Sequence, residues 1–203
     1  MGILQQMTEK PWVTVEGEEP AEQRASSMEA PHVGLRVFLA VATMLFTLFL
    51  VVYVERLTFT DWQPLSDPWV LWLNTLVLIA SSAGFHWAWV NADKGNLEGI
   101  KTGLLAGGVA SFAFLAGQLW AWQLLVDLGY YNMANPAIGF FYLLTGLHGV
   151  HLLGGLVAWF RTTAKIRAEV EIDQLRMSVE LCAVYWHFLL VVWLVLFSLL
   201  LLT

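Results

Sequence analysis

The stretch Ala137–Phe160, AIGFFYLLTGLHGVHLLGGLVAWF, runs 24 residues without Asp, Glu, Lys or Arg. As a helix it is about 36 Å long, enough to cross a hydrocarbon layer of about 30 Å. Two features exceed what a lipid anchor needs. The first is a set of glycines, Gly139, Gly146, Gly149, Gly154 and Gly155. Small residues let helices approach closely in lipid. The second is a histidine pair, His148 and His151, one helical turn apart. A polar ring at bilayer depth is costly without a partner. The stretch therefore predicts a helix buried in a membrane bundle, with Gly146 and Gly149 lying against a neighbour.

Four more stretches repeat the pattern. Predicted spans are Val33–Val54, Trp69–Val90, Thr102–Val126, Ala137–Phe160 and Leu181–Thr203. Gly103, Gly107 and Ser111 recur every four residues and mark a second close-packing face. The fold class is thus an all-α polytopic membrane protein, a bundle of five transmembrane helices in one domain, residues 33–203. Hydrophobic residues make up 58% of the chain and charged ones 13%, which excludes an ordinary soluble domain. Residues 1–32 are polar and acidic, with Pro11, Pro20 and Pro31, and are expected to be a disordered tail. The formal charge of −6 comes largely from that tail and argues against nucleic-acid binding. Cys182 is the single cysteine, so no internal disulfide or thiolate cluster is possible.

Positive charge sets the expected orientation. Lys10, Arg24, Arg36, Lys94, Lys101, Arg161, Lys165, Arg167 and Arg176 fall on one side of a five-span chain, and Arg56 alone on the other. The N-terminus is expected in the cytoplasm and the C-terminus on the outer face.

The intramembrane histidines are His86, His148, His151 and His187. Imidazole is a common metal and haem ligand. His148 and His151 share one helix, however, and cannot occupy both axial positions of one haem. A non-haem metal calls for carboxylates or thiolates beside them, which the spans scarcely offer. Hydrogen bonding between helices is the preferred reading. Tyr185-Trp186-His187-Phe188 reads first as packing, and Glu180 lies two turns from His187 on one face. Ser111 and Thr145 can bond back to helix carbonyls. The residues alone lead to a five-helix bundle with few catalytic groups. His148, His151, Glu180, Trp186 and His187 are candidates for lipid or interface contact, and no catalytic, cofactor or metal residue is assigned. A small transporter and a haem-bearing anchor remain as other readings.

Phe140–Gly155, FFYLLTGLHGVHLLGG, strongly resembles the signature helix of subunit III of the haem–copper oxidases. Glu180 followed by Tyr185-Trp186-His187-Phe188 and Val191-Val192-Trp193 is similar to that family's last helix. Asn135-Pro136, Phe114-Leu115 with Gln118, and Phe38-Leu39-Ala40 with Met44-Leu45-Phe46 also fit. The resemblance covers residues 33–203 and points to the five-helix form.

The resemblance implies an accessory subunit of a respiratory terminal oxidase, cytochrome c oxidase ahead of quinol oxidase. Subunit III carries no haem or copper, which reside in partner subunits. It packs against subunit I, within a complex that also contains subunit II. It is thought to hold phospholipid, support proton entry and protect subunit I during sustained turnover. The expected location is the bacterial cytoplasmic membrane. Three carboxylates common in the family are replaced here by Ala42, Ala121 and Leu190. A proton-collecting role is weakened accordingly, and a subset associated with nitric oxide reductases stays open.

Overall fold

The computed structural model describes residues 21–60, 62, 69–130, 135–167 and 172–202, with side chains for all of these except 21–29, 167 and 172–174. The chain forms α1 (Ala21–Arg56), α2 (Trp69–Asp93), α3 (Leu97–Asp127), α4 (Pro136–Arg167) and α5 (Ile172–Leu202). No strand occurs among the described residues. All five helices contain a segment long and apolar enough to cross a bilayer.

Helix ends follow local chemistry. Gly95 takes φ +66°, a left-handed turn that terminates α2 at little steric cost. Asn96 then caps α3, its side chain accepting from the Gly99 amide at 3.3 Å. Asn135 accepts from the Ala137 amide at 3.1 Å, and Pro136 opens α4 where its missing N–H is not needed. The helices outrun the predicted spans, because polar residues such as Asn91, Glu98 and Lys165 continue the turns beyond the apolar stretch.

The largest departure is at the N-terminal end. α1 begins at Ala21, well ahead of Val33, inside the segment expected to be disordered. Ala21, Glu22, Gln23, Arg24 and Ala25 are helix formers, and their propensity outweighs the polarity that suggested disorder. Residues 1–20 lie outside the described residues.

The larger of two structural units, Leu39–Thr203, holds the core. Within it α2 packs on α3, α3 on α4, α4 on α5, and α5 back on α2, closing a four-helix ring. Residues 39–56 of α1 join this ring through side chains. Phe46 and Tyr53 cluster with Leu144 of α4 and Leu196 of α5, and Tyr53 meets Phe140 edge-on at 5.4 Å. Elsewhere this part of α1 exposes Val41, Met44, Leu48 and Val51. Apolar exposure of that kind is stable against acyl chains or another membrane helix and unstable in water.

Inside the ring, aromatic side chains fill the space between helices. Phe85 lies 4.1 Å from Trp186, and Phe114 meets Trp193 edge-on at 4.9 Å. An indole buried in such a place needs an acceptor for its N–H. Trp186 donates to Ser111 at 2.8 Å, Trp193 to Thr75 at 2.9 Å, and Trp122 to Thr145 at 3.1 Å. Each bond ties two helices together.

Candidate functional site

The polar groups of the bundle interior are the natural place to seek chemistry, and most are engaged in joining helices. α2 and α3 make the closest approach. A Cβ added at Gly103 would lie 2.6 Å from the Ala88 nitrogen and 2.8 Å from the Gly84 oxygen. One added at Gly107 would lie 2.7 Å from the Phe85 ring. This proximity lets Ser81 reach Gly107 O at 2.9 Å and Ser111 Oγ at 2.8 Å. Ser111 and Thr145 also bond back to Gly107 O and Phe141 O, as their positions predict.

The α4 glycines divide differently from expectation. A Cβ added at Gly146 would lie 3.6 Å from Trp122, an ordinary contact. Gly149 has nothing within 4 Å of an added Cβ, because it faces away from the ring. Gly155 is the crowded one: an added Cβ would lie 2.7 Å from Tyr185 and 3.0 Å from Trp186. Helix α4 continues unbroken through Gly154 and Gly155.

The two histidines of α4 have separate surroundings. His148 is fully buried, between Phe114 (ring centroids 5.9 Å apart) and Trp193 (5.3 Å). Neither of its ring nitrogens has a hydrogen-bond partner among the described residues. His151 points instead to Phe46 of α1, and its Nδ1 donates to Leu147 O at 2.8 Å. Its backbone carbonyl accepts from the Tyr185 hydroxyl at 2.8 Å. Their angular offset on the helix sends one ring into the bundle and the other toward α1.

His187 pairs across α5 and α2. Its Nδ1 is hydrogen-bonded to the Ser82 hydroxyl, and its Nε2 lies 3.4 Å from His86 Nδ1. Glu180, grouped with it in the sequence, is half-buried and makes no hydrogen bond or ion pair among the described residues. Arg176 lies near Glu180 in sequence but pairs with Asp93 of α2 at 2.7 Å. Trp186 is completely buried, so neither it nor His148 is reachable by lipid or a partner chain. Both belong to the core, where the ring closure places them.

Asn74, Gly117, Ser82 and Gly84 of this interior were not picked out from the sequence. Asn74 Nδ2 donates to Gln118 Oε1 at 3.3 Å, and Gly117 leaves room for the Asn74 amide. Ser82 and Gly84 shape α2. Polar side chains amid an apolar stretch at 74, 75, 81 and 82 were the available signal, since buried polar groups in lipid need partners. Among the described residues, no three His, Cys, Asp or Glu side chains converge as a metal site. Ala42 and Ala121 are buried, their methyl groups packed in the protein, while Leu190 is partly exposed.

The family model described as cytochrome c oxidase subunit III matches residues 13–202. The chain belongs to the cytochrome c oxidase subunit III family. It is 30% identical over 172 residues to cytochrome c oxidase subunit 3 of Thermostichus vulcanus, covering 82% of this chain and 84% of the relative. It is 30% identical over 187 residues to the probable cytochrome c oxidase subunit 3 of Nocardia farcinica, covering 87% and 91%. The Corynebacterium diphtheriae subunit 3 is 27% identical over 188 residues, again covering 87% and 91%. This subunit III is therefore a multi-pass membrane protein and a member of a haem–copper oxidase complex.

Proposed function

We propose that the chain is the non-redox accessory subunit of a bacterial cytochrome c oxidase, packed against subunit I within a complex that also holds subunit II. Haem and copper reside in those partners, and this chain supports bound phospholipid and sustained turnover. The observation that carries the reading is the spending of intramembrane polar side chains on helix–helix bonds, in a chain matched to subunit III over residues 13–202. Such bonds fix a scaffold and leave few groups to accept or pass a proton. Ala42 and Ala121 point the same way, since a buried methyl group cannot ionise. A quinol oxidase is the other reading, with relatives named cytochrome c oxidase favouring the first.

The orientation belongs to the same proposal. Lys94, Lys101, Arg161, Lys165 and Arg176 lie where α2 ends, α3 begins, α4 ends and α5 begins. The positive-inside rule places that end in the cytoplasm, and hence the C-terminus on the outer face of the cytoplasmic membrane. The functional test removes the chain from the complex and follows oxygen consumption. The expected result is a preserved initial rate and a faster decline during continuous turnover. An immediate loss of rate in an otherwise intact complex contradicts a supporting role.

A further inference from the structure

Between α3 and α4 lies an open-sided groove of about 250 Å³, lined by Lys101, Leu104, Leu105, Trp159, Thr163 and Ile166. Contacts between the two helices pair Leu104 with Trp159, Phe114 with His148 and Trp122 with Thr145, so the helices run antiparallel. Lys101 and Ile166 therefore stand at the charged end of the bundle, and Leu104, Leu105 and Trp159 lie deeper.

The wall of the groove is held in place. Trp159 donates its indole N–H to Leu104 O at 2.8 Å. Its ring occupies space that only glycine leaves at 108, where an added Cβ would lie 2.5 Å away. Phe112 meets the same ring edge-on at 6.1 Å. Thr163 turns its hydroxyl back to Trp159 O at 2.9 Å, which leaves the half-exposed Lys101 ammonium as the charged group of the lining. Lys101 does touch Glu98 at 3.3 Å, but both are exposed, and an exposed pair of this kind holds a lysine weakly.

An apolar trough closed at its headgroup end by a cation has the shape and charge of a phospholipid site. We infer that this groove binds one acyl chain of an anionic phospholipid whose phosphate meets Lys101. Glu98 opposes the phosphate, which keeps the preference for an anionic headgroup modest. One lysine near an anionic lipid gives a preference of about fivefold, the upper bound here because Glu98 opposes it. The inference deepens the lipid role proposed above by assigning a place and a headgroup class to one molecule.

The test uses the delipidated oxidase complex, titrated with phosphatidylglycerol or phosphatidylcholine and read by native mass spectrometry. Lys101→Gln is expected to abolish the preference for phosphatidylglycerol, at most about fivefold. Leu105 is exposed, so Leu105→Trp fills the groove without disturbing the core, and it is expected to remove one retained molecule of either lipid. Lys94→Gln removes a neighbouring charge outside the groove and is expected to change neither. Equal effects of Lys101→Gln and Lys94→Gln overturn the site, as does an unchanged lipid count in Leu105→Trp. Either failure, with other lipid still retained and turnover still protected, refutes the groove and leaves the accessory role standing.

Discussion

Replacing Gly103 by alanine tests whether the bundle depends on the α2–α3 approach. The new methyl would lie 2.6 Å from the Ala88 nitrogen, against ordinary contact from 3.4 Å, a shortfall of 3.4 − 2.6 = 0.8 Å. Backbone atoms of Ala88 and Gly84 are among the obstacles, so no rotamer change relieves it and the helices must separate. Overpacking of this kind costs about 1–3 kcal/mol. Alanine returns about 1 kcal/mol through helix propensity. The net of these two is a loss of about 0–2 kcal/mol, to which weakening of the Ser81 bond to Gly107 O adds. Gly149→Ala is the matched control: nothing lies within 4 Å, so only the propensity gain acts. The assay is an SDS titration of each variant in mixed micelles, followed by helical circular dichroism. Gly103→Ala should unfold at lower SDS than the parent, and Gly149→Ala at equal or higher SDS. Equal midpoints for the two variants would refute the close-packing argument.

Three other outcomes follow from named contacts. Trp186→Phe retains a ring against Phe85 but loses the bond to Ser111, and should cost about 0.6–1.7 kcal/mol in the same titration; an unchanged midpoint would show that bond to be idle. Glu180→Gln removes a carboxylate with no partner among the described residues, so subunit retention and the initial oxygen-reduction rate should stay unchanged. A rate lost at once from an intact complex would assign Glu180 to proton delivery. A cysteine placed at Glu171, with Cys182→Ser, should react with an impermeant thiol reagent only in inverted vesicles, and labelling in intact cells would reverse the topology.

Helix number was legible because five apolar stretches each exceed the bilayer thickness, and that constraint acts locally on the sequence. The Gly103-Gly107-Ser111 face was legible for a similar reason: its period is a property of one helix. Partner choice was not. His187 lies seven residues from Glu180, but Ser82 and His86 on α2 are its observed neighbours. Likewise Gly149 and Gly155 look equivalent in sequence, and only the closure of the ring decides which one meets Tyr185 and Trp186. The start of α1 was misjudged because polarity excludes burial without excluding helix. Family membership came from long motifs, whose information is greater than that of any single residue in them.

The central claim, membership in a haem–copper oxidase with the redox centres on other chains, is tested most directly by mild-detergent purification through a tag on this chain. Haem absorbance and copper are measured per chain before and after the subunits are dissociated. The account predicts stoichiometric haem and copper in the complex and none on the separated chain. Recovery of the chain alone from mild detergent, or a Soret band on the separated chain, would contradict it.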